Sequence, residues 1–431
     1  MGSGWDSGEG APAGAPSSGL RHAIRLGATA AGILGILAAC AVAPTPPPAG
    51  PSTRPLPRPG DAGAESLAGP LAGSPGQVID RPRSRWIAAS WSDLPGLDGD
   101  RLLEWWPAFL AGCARPAPGW STLCAEAWLR PPPSTEAELR GWLQARLGVW
   151  RVEALPGAAI AQGTSPAAAD ATGPVGLLTG YLEPLIPAQR RPGGRFQTPL
   201  YALPADLMQR RPYWTRQELE TVPAARASLR GREIAYVADP LDALFIQIQG
   251  STRLVLLDER PGEPPVQVRL AFAGHNDQPY RSVGRWLIEQ GELRPGEASW
   301  PAIKAWAQRH PARVQAMLWS NPRMVFFREE PLPDPAVGPR GAQGVPLTPG
   351  RSIAVDPLSV PYGTPVWLDA TEPLSNTPLR RLTMAQDTGS AIVGAVRADY
   401  FWGWGEQAEA QAGRMRQPLR KWVLWPLPPP D

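Results

Sequence analysis

Lysine is nearly absent from this 431-residue chain: Lys304 and Lys421 are the only two, and arginine carries the rest of the basic charge. Histidine is almost as scarce (His22, His275, His310), and cysteine is confined to Cys40, Cys113 and Cys124. The histidines have no ligand spacing with the cysteines, so no metal centre is expected. Net charge is only +3, and no basic block carries interleaved aromatics, which argues against nucleic acid as a partner. There is no Gly-x-Ser-x-Gly elbow, and Gln249-Gly250-Ser251-Thr252 lacks a histidine nearby in sequence, so serine-nucleophile chemistry is poorly supported. No Gly-x-x-x-x-Gly-Lys-Ser/Thr loop is present to cradle a phosphate. No apolar run is long enough for a comfortable membrane span. What is abundant is proline (55), glycine (45) and tryptophan (19), within a 43% hydrophobic content that excludes wholesale disorder.

The N-terminus reads as an export signal. Arg21, His22 and Arg25 precede the short apolar run "LGATAAGILGILAAC", which ends in small residues. Leu37-Ala38-Ala39-Cys40 resembles a bacterial lipobox, which predicts a signal over residues 1–39 and lipidation of Cys40. The alternative is an ordinary signal with an incidental cysteine. Ala41 stands where an aspartate would signal inner-membrane retention, so a periplasmic lipoprotein anchored in the outer membrane is expected. Residues 40–85 form the anchor and a Pro-rich tether, and folded sequence is expected from near Trp86. In an exported chain Cys113 and Cys124 are expected to bridge across "ARPAPGWSTL" rather than remain free thiols.

Beyond the tether the chain alternates helical and strand-like patterns. "DGDRLLEWWPAFLAGCA" has helical spacing with Asp98 or Asp100 as a candidate cap; "STEAELRGWLQARLGVWRV" carries Thr135 three residues before Glu138. "VGLLTGYLEPLI", "ALFIQIQGSTRLVLLD" and "VQVRLAFAG" read as strands, the second because Phe245–Gln249 alternates apolar and polar. "SVGRWLIEQGEL" and "ASWPAIKAWAQRHP" return to helix, and short apolar runs after "NPRMVFF" suggest a compact β unit. The expected class is mainly β with helical decoration, in two β domains.

The remaining chemistry is that of carboxylates with aromatic and amide neighbours, an inventory suited to sugars. Asp356, Asp387 and Asp399 stand in "SIAVDPLSVPYGTPVWL" and "AQDTGSAIVGAVRADYFWGWG". Each has a plain alternative role, because aspartate often fixes a turn through its side chain. Tyr400, Trp402, Trp404 and Trp367 are available as stacking surfaces, although packing is their default use.

In order, "LTGYLEPLI", "FQTPLYALP", "FIQIQGSTRL", "AGHNDQPYRSVGRWLIEQGEL", "NPRMVFF", "GVPLTPGRSIAVDPLSVPYGTPVWL" and "AQDTGSAIVGAVRADYFWG" resemble the membrane-bound lytic murein transglycosylase A family, glycoside hydrolase family 102. The last two pieces resemble its three-aspartate (3D) domain. The resemblance implies a double-psi β-barrel, 86–176 plus 325–431, interrupted by a smaller substrate-binding β-barrel at 177–324, with a glycan groove between them. It implies cofactor-free cleavage of the β-1,4 bond between N-acetylmuramic acid and N-acetylglucosamine, leaving 1,6-anhydromuramic ends. Asp399 matches the acid position, Asp387 an auxiliary group, and Asp356 a structural one. Groove contacts are expected from Thr179, Gly180, Tyr181, Gln247, Gln249, Ser251, Gly389, Ser390 and Ala391. The glycines and polar side chains could equally serve turns and local backbone. Glu183 is a weaker acid candidate, and the loop Pro331–Pro346 departs from compact relatives. The implied partners are peptidoglycan strands and, through Cys40, the membrane; any wall-synthesis or division partner stays unnamed. A non-catalytic, expansin-like wall-binding lipoprotein is the main rival, with a structural tether behind it.

Overall fold

The computed structural model describes residues 76–156, 175–259 and 264–427; the expected signal 1–39, the lipidation site Cys40 and the tether as far as residue 75 lie outside them. No helix among the described residues is long and apolar enough to cross a membrane. The described residues form fifteen strands: β1 Val78–Arg81, β2 Ser84–Ala89, β3 Leu147–Glu153, β4 Gly176–Glu183, β5 Leu185–Gln189, β6 Thr198–Tyr201, β7 Glu233–Val237, β8 Ser251–Leu256, β9 Val266–His275, β10 Val325–Glu330, β11 Ser352–Val355, β12 Pro365–Thr371, β13 Pro378–Asp387, β14 Arg397–Trp404 and β15 Arg416–Pro426. The mainly β class with helical decoration is as expected. Among the described residues, however, regular structure is already present at Val78, because β1 and β2 pair as a hairpin that extends ahead of the expected start near Trp86.

One sheet runs β1-β2-β3-β15-β12-β13-β11-β14-β4, and a further β15–β4 pairing closes its last six strands into a ring. Closure depends on the length of β15: Arg416–Leu419 pair with β4, while Trp422–Pro426 pair with β3 along the same edge. β11–β13 and β14–β4 are parallel, and the other ring contacts are antiparallel. Side chains alternate along each strand, so each one gives one face to the ring's core. Leu178, Ile353, Val355, Val366, Leu368, Ala385, Ala398, Tyr400, Leu419 and Val423 form that single buried cluster.

Helices Trp106–Cys113, Ser121–Leu129 and Glu136–Gln144 pack a tryptophan-rich layer (Trp105, Trp106, Trp120, Trp142) against Trp367 and Trp422 of the sheet. These tryptophans are core, as their sequence setting suggested. A disulfide joins Cys113 to Cys124 across the first two helices, with Cα atoms 5.3 Å apart. Thr135 caps the third helix by accepting from the Glu138 N–H. Neither Asp98 nor Asp100 caps the first, whose N-cap is Trp105. Asp100 is instead buried against Arg351 and the Leu382 N–H, where an ionised acid requires such partners.

The second sheet runs β10-β9-β8-β5-β7-β6, and a bridge from Ala202 to Phe327 links the end of β6 back to β10. Here the alternation at Phe245–Gln249 is misleading, since Pro240–Gln249 is a helix. Asp239 caps it through the Leu241 N–H, Pro240 opens it, and Gly250 ends it at φ 84°. Such end signals outweigh a five-residue alternation. Leu182, Phe245, Ala408 and Ala412 then pack together, joining β4, this helix and helix Glu406–Ala412.

Candidate active site

The register of the ring assembles the site. Ala354 of β11 pairs with Asp399 of β14 on one side and, past a bulge, with Asp387 of β13 on the other. Asp399 in turn pairs with Thr179 of β4. The row Thr179–Asp399–Ala354–Asp387 therefore crosses four adjacent strands. Its sequence neighbours Leu178, Ala398 and Val355 belong to the barrel core. Alternation thus puts Asp399 on the outer face, and the bulge between the Ala385 and Asp387 pairings turns Asp387 to the same side. Beside them lies a small apolar cluster of Tyr181, Leu347, Ala354, Ile392 and Phe401.

Both aspartates are half-buried, but their hydrogen bonds differ. Asp387 has both oxygens engaged: the Tyr181 hydroxyl donates to Oδ2 at 2.9 Å and the Ala342 N–H to Oδ1 at 2.9 Å. Burial pushes its carboxyl up to about 6; N–H and hydroxyl donors from Thr388, Tyr181 and Ala342 draw it down, and the charge of Asp399 raises it again. Asp399 accepts on Oδ1 from the Thr179 hydroxyl at 2.6 Å, and its Oδ2 has no hydrogen-bond partner among the described residues. Burial raises this carboxyl as well, opposed by the Arg397 guanidinium and by the Thr179 bond. Tyr181, buried and facing both acids, is held well above the ordinary tyrosine range by burial first and then by Asp387.

Asp356 sits apart from these two. It is buried, receives the Leu358 and Gly394 N–H groups, and pairs with Arg83. Glu183 is also committed: fully buried, it accepts from Arg253 and Arg269, which also hold the Pro335 and Val337 carbonyls.

The other expected contacts divide. Gly180 sits where an added Cβ would lie 2.7 Å from Trp402 Nε1 and 3.0 Å from the Ala412 Cα, so a close approach explains it. Gln247 is buried and accepts from Arg216, which removes it from any groove surface. Gln249 accepts from the Leu182 N–H, fastening the helix to β4, and Ser251 is the half-buried first residue of β8. Gly389, Ser390 and Ala391 form the turn after Asp387, with Ser390 and Ala391 exposed. The aromatic tail is split by a register shift in β14 between Phe401 and Trp404, because its three members share one parity. Tyr400 lies in the barrel core, Trp402 packs against that core and donates to Met415, and Trp404 stays half-exposed with the Arg253 guanidinium 3.7 Å from its ring centre. Trp367 is fully buried.

Two partners escaped the sequence reading. Arg397 donates to the Thr179 hydroxyl at 2.8 Å, and the Ala342 N–H reaches Asp387 from a distant loop. Arg397 could have been noticed for preceding Asp399 by two residues, which places both on one strand face. Nothing local signals Ala342.

A family described as the MltA specific insert domain matches residues 177–328, and the 3D domain matches residues 351–425. The chain is 32% identical over 269 residues to the membrane-bound lytic murein transglycosylase A of Vibrio cholerae serotype O1, covering 59% of this chain and 69% of that protein. Among solved structures, it is similar to a lytic transglycosylase, LtgG, of Burkholderia pseudomallei, with 41% identity, TM-score 0.52, and 83% of this chain and 98% of that one covered. It is also similar to MltA from Neisseria gonorrhoeae, with 27% identity, TM-score 0.66, and 84% and 97% covered.

Proposed function

The chain belongs to the membrane-bound lytic murein transglycosylase A family, and we propose on that basis that it is a peptidoglycan lytic transglycosylase whose acid and base are the single side chain Asp399. The bond cleaved is the β-1,4 linkage between N-acetylmuramic acid and N-acetylglucosamine. The observation that carries the assignment is the contrast between the two acids: Asp387 has both oxygens occupied, whereas Asp399 keeps Oδ2 without a protein partner among the described residues.

In this reading, protonated Asp399 gives its proton to the glycosidic oxygen as the C1–O4 bond breaks. The muramic C6 hydroxyl then attacks C1 and returns its proton to Asp399. One C–O bond is exchanged for another, and the carboxyl ends as it began. An ordinary glycosidase needs a second carboxylate as nucleophile or base. Here the tethered hydroxyl replaces it, with the entropic advantage of an intramolecular group. Burial, which raises the Asp399 carboxyl, supports the acid role. Asp387, held by Tyr181 across β11, is the auxiliary group, and as a nearby like charge its anion favours protonation of Asp399.

Within the same reading the double-psi β-barrel domain, expected over 86–176 and 325–431, also takes in β4 and leaves out β10, which pairs in the second sheet; the rest of 177–324 with β10 is the inserted substrate domain, and the glycan lies between them. Thr179, Tyr181, Ser251 and the turn Gly389–Ala391 line the groove, while Gly180 faces Trp402 and Ala412 on the other side of β4. The protein works in the periplasm, attached to the outer membrane by lipid at Cys40. Incubation with purified peptidoglycan and mass analysis of the products tests the proposal. Anhydro-ended muropeptides that vanish with Asp399→Asn are expected. Reducing ends would indicate a hydrolase, and wall binding without release would indicate the non-catalytic rival.

A further inference from the structure

We infer that Thr179 is a positioning residue that decides which oxygen of Asp399 carries the acid proton, with Arg397 fixing the direction of its hydroxyl. The inference rests on the reading of Asp399 as the acid. Arg397 and Asp399 stand two apart on β14, so both side chains leave the same face. Parallel pairing sets Leu177 opposite Arg397 and Thr179 opposite Asp399. Thr179 is thereby held between a guanidinium and a carboxyl, with Arg397 Nη2 at 2.8 Å and Asp399 Oδ1 at 2.6 Å from its Oγ1.

The donor inventory leaves one arrangement. A guanidinium only donates, so Arg397 occupies an acceptor site on the hydroxyl oxygen. The hydroxyl has one hydrogen, and among the described residues its only acceptor is Asp399 Oδ1. A proton on Oδ1 would face that hydrogen and leave it without an acceptor. The neutral carboxyl therefore keeps its proton on Oδ2, the oxygen with no protein partner among the described residues. Delivery to the leaving oxygen and recovery from the C6 hydroxyl both pass through that atom. Arg397 is itself buried, with Nη1 also donating to the Ala398 carbonyl, so its hold on Thr179 is anchored in the strand. The bond also tempers the acid, because a donor to a carboxylate favours the ionised form.

The test is the pH profile of kcat/KM for release of anhydro-ended muropeptides, together with melting temperatures. Activity falls on the alkaline side as the free enzyme's acid ionises. Thr179→Val should move that limb upward by about one pH unit and slow the reaction about tenfold at its own optimum. Thr179→Ser, which keeps the hydroxyl, should leave the limb in place. Arg397→Met should move it upward too, and carries the test if the valine variant melts early. An unmoved limb in a folded valine or methionine variant, or a serine variant that behaves like valine, overturns the inference. Full activity in Asp399→Asn would instead overturn the reading of Asp399 as the acid, which an unmoved Thr179→Val limb alone does not touch.

Discussion

Asp387 and Asp399 are cross-strand partners of the same residue, Ala354, from opposite sides. The two acids thus share one face of the barrel with a strand between them, and each answers to a different environment. One is saturated by donors; the other keeps an open oxygen. Separated environments on paired carboxyls are how one site assigns two roles.

The charge on Asp387 gives the acid side of the pH profile. With its carboxyl pushed up to about 6, Asp387 is ionised above that pH and neutral below it. A nearby like charge favours protonation of Asp399, so the rate is expected to fall on the acid side as Asp387 takes up its proton. Asp387→Asn should abolish that acid limb and lower the rate at neutral pH by about ten- to a hundredfold. An acid limb unchanged in Asp387→Asn would dismiss the role.

Gly180 predicts a packing penalty beside the site. Its missing Cβ makes room for Trp402 and the backbone of Ala412. Gly180→Ala must displace the indole or helix Glu406–Ala412 and should cost about 1–3 kcal/mol in chemical unfolding. No loss of stability would show that the indole moves freely.

Glu183 predicts a separation of stability from chemistry. It is buried between Arg253 and Arg269, so Glu183→Gln strands two guanidinium groups and should lose about 3–5 kcal/mol. Specific activity of the folded fraction at low temperature should persist. Its disappearance there would reinstate Glu183 as an acid.

Lys421 predicts a stability that rises with pH. Buried in the barrel with its amine 3.3 Å from the Arg397 carbonyl, it is drawn by desolvation from 10.5 down to about 7. Between those values the unfolded chain binds more protons than the folded one, so unfolding free energy should climb as pH rises through that window. Below it the burial cost is present in full. Lys421→Met should flatten the slope; identical pH curves for variant and parent would mean that the amine is solvated in the native state.

Much of this was legible in the chain. Thr135 and Glu138 mark a helix start, and the apolar periodicity of β4 and β9 marks strands, because caps and alternation are local physics. The helix Pro240–Gln249 was misread where two local signals conflicted and the flanking Asp239 and Gly250 decided. Gln247, polar and therefore a natural candidate for sugar contact, turned out to serve a buried arginine.

The sequence by itself determined the class of chemistry: few nucleophiles, no metal-ligand spacing, and carboxylates among small and aromatic residues, in motifs whose order resembles one family. Which carboxyl is saturated and which is open was decided only by the closed barrel. That choice depends on Thr179 and Tyr181 of β4, Ala342 of a distant loop and Arg397 of β14, three segments gathered around two aspartates twelve residues apart. Hydrogen bonds are local in space, not along the chain, and no spacing in sequence encodes them. The aromatic tail after Asp399 shows the same limit, because a register shift between Phe401 and Trp404 separates Tyr400 in the core from the half-exposed Trp404, although their spacing would put them on one face.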